Sequence, residues 1–205
     1  MKKKIIIGVT GNLASGKTAV ADMFKELGAV KIDADEIAHE LLSKDEGIKK
    51  EVLNAFGEEI LSDGEIDRRK LAEIVFCNKE KLTRLCSIMH PAIIQVIKEE
   101  AEKSRGEIIV LDAPLLLEAG LADYVDVVVV VTAGYRTQMD RAIARGIEEE
   151  EAKNIINNQM PVDEKIRFAD HVIDNDFDLG TTKEGVKELW QKVKVQKVKV
   201  REKKN

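Results

Sequence analysis

Cysteine, proline and aromatic side chains are scarce in this sequence. Its 205 residues include two cysteines, three prolines and one tryptophan, and aromatics make up 4%. Cys77 and Cys86 lack CxxC spacing, which removes a disulfide scaffold or thiolate zinc site and predicts two reduced thiols. His39, His90 and His171 are scattered and form no metal-ligand pattern. No apolar run approaches the roughly 20 residues that span a bilayer. The opening MKKKIIIGVTG has a basic start, but its apolar run is short and ends in a glycine-rich loop, unlike a secretory signal. Positive charge is not in excess either. The formal net charge is −5, with acids and bases interspersed, so a nucleic-acid-binding face is not expected. These absences predict a cytoplasmic protein with neither membrane nor nucleic acid as partner.

Hydrophobic residues make up 44% of the chain, ample for a buried core. Short apolar runs alternate with helical stretches, as in a parallel sheet wrapped by helices. Strands are predicted at 5–9, 29–32, 108–111, 125–131 and 172–173, with a helix from about Lys17 to Leu27. The run Val125–Val131, nearly all β-branched, reads as a fully buried strand. Between the second and third strands, residues 34–103 read as almost wholly helical, broken at Gly47, Gly57 and Ser62–Gly64. That insertion is too long for a simple crossover and predicts a separate lobe. A second, acid-rich helical excursion covers about 146–168. The tail QKVKVQKVKVREKKN reads equally as a helix end or an edge strand.

Gly11, Asn12, Leu13, Ala14, Ser15, Gly16, Lys17 and Thr18 match the pattern G-x-x-x-x-G-K-[ST] in full, with Ala19 next in the helix. The glycines let backbone N–H groups close around a phosphate chain. The helix behind them aims its positive dipole end at the same anion. Lys17 adds a mobile charge for the β- and γ-phosphates, and the Thr18 hydroxyl suits Mg²⁺. An apolar strand before and a helix after are the context this mechanism needs. No N-K-x-D guanine reader is found; Asn78-Lys79-Glu80-Lys81 lacks the aspartate. Asp112 closes the strand-like IIVLD, where it can hold Mg²⁺ directly or through water, or simply be a solvated strand end.

On the acceptor side, Asp33 ends the second strand and starts a helix. It reads either as an N-cap or as a carboxylate near the γ-phosphate that accepts the proton of an attacking hydroxyl. An ordinary aspartate, with a pKa of about 3.9, is a weak base for an alcohol. In a loose phosphoryl-transfer transition state, however, positioning outweighs basicity. Gln138, Arg141 and Arg145 fall at i, i+3 and i+7, on one helix face. The two arginines read as cations for the transferring phosphoryl group, or the face reads as a solvated stripe pairing with Glu148–Glu151.

Taken together, GVTGNLASGKT, DADEIAHELL from Asp33, IDRRKLAEIVF from Ile66, IMHPAI from Ile88, DAPLLLEAGL from Asp112, the Gln138/Arg141/Arg145 spacing and ADHVIDN from Ala169 resemble the dephospho-coenzyme A kinases. The resemblance runs from residue 5 to about 175. It implies an α/β P-loop NTPase fold, a three-layer α/β/α sandwich with a five-stranded parallel sheet. The 34–103 insertion becomes the CoA-binding lobe and 146–168 a helical lid. It implies transfer of the ATP γ-phosphate to the ribose 3′-hydroxyl of dephospho-CoA, with Mg²⁺, by a monomer or weak homo-oligomer. It favours Asp33 as base, Lys17, Arg141 and Arg145 as catalytic cations, and Asp35, Arg68, Arg69 and His90 as acceptor-pocket residues. The alternatives from the residues themselves are a kinase of another small acceptor, such as a nucleoside monophosphate, or a nucleotide-binding module without catalysis. The sequence departs from the family's usual GGIGSGKS at Asn12, Ala14 and Thr18. It also reads Arg145-Gly146-Ile147 where R-D-G is common, and carries Asn154 where a later lid arginine is frequent, with Lys153 beside it.

Overall fold

A computed structural model describes residues 4–76 and 78–202, and the side chains of all of these except Phe76, Lys79 and 196–202. The reading of Cys77 as a thiol lies outside the described residues, and Cys86 forms no disulfide among them. The elements run β1 (Ile5–Thr10), α1 (Lys17–Glu26), β2 (Val30–Asp33), α2 (Ala34–Lys44), α3 (Glu46–Phe56), β3 (Leu61–Ser62), β4 (Glu65–Ile66), α4 (Arg68–Phe76) and α5 (Lys79–Lys103). They continue β5 (Ile108–Asp112), β6 (Val127–Thr132), α6 (Tyr135–Ala144), α7 (Glu149–Asn158), α8 (Val162–Arg167), β7 (His171–Asp174) and α9 (Leu179–Glu202). The chain divides into two compact units, Met1–Ile32 with Ser104–Asn205, and Asp33–Lys103.

In the first unit five strands form one sheet in the order β2-β5-β1-β6-β7. β1 pairs in parallel with β5 on one side and β6 on the other, and β6 pairs in parallel with β7. This is the α/β architecture expected of a P-loop kinase. β1 is central because its residues are buried on both faces. Ile7 and Val9 point into a cluster with Val20 and Phe24 of α1, Val110, Val129, and Leu189 and Trp190 of α9. Gly8 faces the other way, beneath Leu116 and Val125, where a Cβ would collide with the Leu116 side chain. The rings of Phe24 and Trp190 lie 6.4 Å apart at 48°, joining α1 to α9. The chain leaves β1 towards β2 and later returns on the opposite side as β6. The C-terminal end of β1 is therefore a switch point, where ligands of such sheets bind.

Residues 203–205 of the Lys/Val tail lie outside the described residues; 191–202 belong to α9, which resolves the two readings there in favour of helix. Its anchor is Val186, Leu189, Trp190 and Val193, all buried, with the Lys194 ammonium 4.9 Å from the Trp190 ring centre.

The second unit packs α2, α3 and α4 against the long α5. It departs from the all-helical expectation at Leu61–Ile66, where β3 and β4 pair antiparallel as a two-residue-loop hairpin. Asp63 and Gly64 both take positive φ, 52° and 83°, as such a turn requires. Gly47 does not break the helical run; it sits inside α3. The break is Asp45, extended at φ −93°, ψ 104°, which ends α2 and caps α3 by accepting from the Gly47 and Ile48 amides. Short polar caps thus punctuate this unit.

Candidate active site

The loop between β1 and α1 is held open by its backbone. Gly16 stands at φ 94° as the N-cap of α1 and receives no side-chain cap. The Gly16, Lys17 and Thr18 amides donate no hydrogen bond to any described residue. Three N–H groups at a helix start without acceptors constitute an anion site. Gly11 is required sterically, since a Cβ there would strike the Val131 carbonyl and lie 2.5 Å from the Ser15 hydroxyl. Ala14 adopts φ 56°, which costs a residue with a Cβ about 1–2 kcal/mol. The residue is 6% exposed and packs with Met139, Ala142 and Ala152, so burial offsets part of that strain. Thr18 and Ala19 are exposed, while Lys17 is half-buried with its ammonium 3.4 Å from the Thr18 hydroxyl.

Strand register brings Asp112 beside this loop. Val9 pairs with Asp112, placing the carboxylate two residues before Gly11. Asp112 is 1% exposed; Lys17 Nζ lies 3.2 Å from Oδ1 and Lys31 Nζ 3.8 Å from Oδ2. Neither oxygen accepts an aligned hydrogen bond. A buried carboxylate with unfilled lone pairs, sharing the Lys17 ammonium with the Thr18 hydroxyl beside the glycine-rich loop, fits a hard divalent cation. Among the described residues no three His, Cys, Asp or Glu converge, so phosphate oxygens or water would complete any such shell. Lys31 was not anticipated. Its only sequence signal is a lysine inside the apolar VKID strand, and it also bonds Asp22 at 2.8 Å.

Of the helix-face trio, the structure brings only Arg141 to the loop. Its Nη2 donates to the Asn175 carbonyl at 2.9 Å, while its buried Nη1 has no partner. That nitrogen lies 3.9 Å from where a Gly16 Cβ would stand. Gln138 is buried and donates to the Ala133 carbonyl at 2.6 Å, which makes it an internal brace of α6. Arg145 is exposed and forms the C-cap of α6, outside the regular helix. Gly146, at φ 84°, follows it; its amide and that of Ile147 bond the Ile143 and Ala142 carbonyls. This closing turn ends α6 and tucks Ile147 against the Met139 cluster.

The 146–168 segment is tied directly to the loop. The Leu13 amide donates to Gln159 Oε1 at 2.8 Å, and Asn12 Nδ2 to the Met160 carbonyl at 3.3 Å. Lys165 is fully buried, with Nζ 2.8 Å from Glu118 Oε1 and 3.2 Å from the Pro114 carbonyl. Glu118 also accepts from the Met160 amide at 3.2 Å. Sequence reasoning missed Gln159, Lys165 and Glu118. Lys153 pairs with Glu149 and Glu150 on its own helix, at 2.8 and 3.6 Å. The Glu149 hydrogen bond holds the Lys153 pKa above its ordinary value. Asn154 is exposed.

In the second unit, Asp33 performs the capping role. Its Oδ1 accepts from the Asp35 and Glu36 amides at 2.9 and 3.2 Å, and Oδ2 accepts nothing from the described residues. One oxygen anchors the side chain and the other is left over, so the two readings of this residue are compatible. Asp35 is exposed on the first turn of α2. Arg68 and Arg69 open α4, exposed and without ion-pair partners among the described residues, where the helix dipole disfavours cations. Asp67 caps that helix through the Arg69 and Lys70 amides. His90 is half-buried with Nε2 unpartnered, and burial pushes its pKa below the ordinary value.

Comparison with known proteins places this geometry in one family. A family profile described as dephospho-CoA kinase matches residues 5–180. A dephospho-CoA kinase of Aquifex aeolicus is 41% identical over 189 residues, 91% of this chain and 96% of the relative. One from Bacillus cereus is 43% identical over 184 residues, 87% and 92% of the two chains. Among solved structures, TT1252 from Thermus thermophilus superposes with a TM-score of 0.79 at 31% identity, covering 93% of this chain and 98% of that one. The dephospho-CoA kinase from Campylobacter jejuni gives 0.62 at 27%, covering 92% and 96%. A shikimate kinase from Acinetobacter baumannii, at 0.54 and 14%, shares the fold.

Proposed function

This chain belongs to the dephospho-CoA kinase family, and from that premise we propose how its residues divide the work. The enzyme phosphorylates the ribose 3′-hydroxyl of dephospho-CoA from ATP, completing coenzyme A synthesis. The observation that carries the site assignment is the trio of acceptor-free amides at Gly16–Thr18 beside the buried Asp112.

The loop from Gly11 to Ala19 wraps the ATP phosphates, with the Gly16, Lys17 and Thr18 amides donating to their oxygens. Lys17 exchanges its contact with Asp112 for one with the β- and γ-phosphates. Thr18 and Asp112 are the residues that would hold Mg²⁺, directly or through water. When bound, that ion supplies charge neutralisation along the phosphate chain. Asp112 needs no rearrangement for this, because its oxygens lack hydrogen bonds. Arg141, through its unpartnered Nη1, and Arg145, from the start of the lid, balance charge on the group in flight.

Asp33 Oδ2 orients the 3′-hydroxyl and takes its proton late in the transfer, while Oδ1 stays on the α2 amides. Arg68 and Arg69 meet the anionic diphosphate of dephospho-CoA, and Asp35 and His90 line the acceptor pocket. With ATP and dephospho-CoA as its partners the enzyme is assigned to the cytoplasm, as a monomer or weak homo-oligomer. No helix among the described residues is long and apolar enough to cross a membrane.

A panel of acceptors with Mg·ATP tests the assignment. Dephospho-CoA is expected to be the preferred acceptor, with a Lys17→Ala variant slower by about a hundredfold or more. Preference for a nucleoside monophosphate overturns the substrate reading.

A further inference from the structure

One buried amide joins four segments around the phosphate loop. Asn175, just beyond β7, is 7% exposed. Its backbone N–H donates to the Thr132 carbonyl at 2.8 Å, and its carbonyl accepts from Arg141 Nη2 at 2.9 Å. Its side-chain Nδ2 donates to the Ser15 carbonyl at 2.8 Å. Its Oδ1 accepts from the hydroxyl of Thr182, which is 1% exposed, at 2.9 Å. Chemistry fixes the orientation of this amide. A backbone carbonyl only accepts, so the nitrogen must face Ser15 and the oxygen must face Thr182.

A trans peptide points its C=O and N–H in opposite directions. Pinning the Ser15 carbonyl on Asn175 therefore turns the Gly16 N–H the other way, into the cradle. The contact also explains why position 16 admits only glycine, beyond its φ of 94°. A Cβ there would collide with Asn175 Nδ2. The same residue's carbonyl anchors one arm of the Arg141 guanidinium, leaving the Nη1 arm beside Gly16.

We propose that Asn175 is a positioning residue that sets the phosphate-binding form of the loop and aims Arg141 at the same point. Thr182 in turn fixes the orientation of the Asn175 amide. The inference rests on the reading of Gly11–Ala19 as the nucleotide site. Asn175 touches no reacting atom in this scheme. It acts through the Ser15–Gly16 peptide and through Arg141, so its loss falls on the donor nucleotide and spares the acceptor.

The test measures Mg·ADP dissociation constants by calorimetry, and KM for ATP and for dephospho-CoA, in full-length Asn175→Leu, Thr182→Val and Thr182→Ser. Asn175→Leu keeps side-chain volume but loses the donor, and is expected to weaken Mg·ADP binding roughly tenfold or more. Thr182→Val keeps the packing and loses the hydroxyl, and is expected to weaken binding by about threefold to tenfold. Thr182→Ser gives up a buried methyl but keeps the hydroxyl, so it should unfold at a lower temperature yet bind within about twofold of wild type. KM for dephospho-CoA should stay within about twofold throughout. A residue that merely packs would order the Thr182 variants by stability instead. Equal Mg·ADP affinity in wild type, Thr182→Val and Asn175→Leu overturns the proposal. A wild-type protein that fails to bind Mg·ADP overturns the nucleotide-site reading beneath it.

Discussion

The two units of this enzyme treat their polar side chains in opposite ways. Around the phosphate loop, the polar groups that matter are buried or half-buried and joined across long stretches of chain. Asn175 reaches back to Ser15, Gln159 to Leu13, and Lys165 to Glu118 and Pro114. In Asp33–Lys103 the candidate residues are half-buried or exposed, and the helix caps there are local. Asp33, Asp45, Asp67 and Asn78 each cap the helix that follows them. Among the described residues no carboxylate pairs with the Arg68 or Arg69 guanidinium, and both residues are exposed. A nucleotide phosphate site works by preorganised dipoles, which need a rigid, satisfied surround. An acceptor site for a long, flexible anion needs cations still free to pair with it. The difference teaches where substitutions damage the fold and where they damage only binding.

The sharpest way to break that comparison is at Lys165. Its ammonium is wholly enclosed, and Lys165→Met leaves Glu118 without its countercharge. Removing one partner of a buried pair is expected to destabilise the protein by about 3–5 kcal/mol, measurable by urea unfolding. The double variant Lys165→Met/Glu118→Leu should recover much of that loss, because the orphaned charge is gone. If the single variant is as stable as wild type, the claim of a rigid surround to the loop fails.

The matching change in the other unit should spare the fold. Arg68→Glu/Arg69→Glu is expected to raise KM for dephospho-CoA about tenfold or more while leaving KM for ATP unchanged. Thermal stability should hold or rise slightly, since acids suit a helix N-terminus better than arginines do. A fall in stability with no change in KM would remove these residues from the acceptor site.

His90 gives the smallest effect. Burial lowers its pKa from the ordinary value of about 6.5. The neutral ring's stabilising contribution is then complete above that value and lost as pH falls through the depressed pKa. Folding stability should show a shallow decline from pH 7 to pH 5, absent in His90→Gln. An identical slope in the variant would mean that other groups carry it.

What the sequence revealed follows the same division. The phosphate loop was legible because its chemistry is written in eight consecutive residues between an apolar strand and a helix. β6 was legible because five valines in a row admit one reading, although its start falls at Val127 and not Val125. The Asp63–Gly64 hairpin was not, because strands of two residues leave no periodicity to see. Lys31, Glu118, Lys165 and Asn175 were invisible for a different reason. A lysine or asparagine becomes structural only when a fold brings its partner from far along the chain, and no local pattern marks that. Asn175 lay within ADHVIDN, a block that identified the family without saying what its asparagine holds. Arg141 and Arg145 shared one face by spacing, yet the closing turn at Gly146 separates their surroundings.

The most direct test of the account concerns Asp33, where capping and catalysis are assigned to different oxygens. Asparagine caps a helix as well as aspartate does, but its amide cannot take a proton. Full-length Asp33→Asn should therefore match wild type in thermal unfolding and Mg·ADP affinity, while kcat with dephospho-CoA falls about 10²- to 10⁴-fold. Turnover within a few-fold of wild type in this variant would contradict the division, leaving Asp33 a helix cap and nothing more.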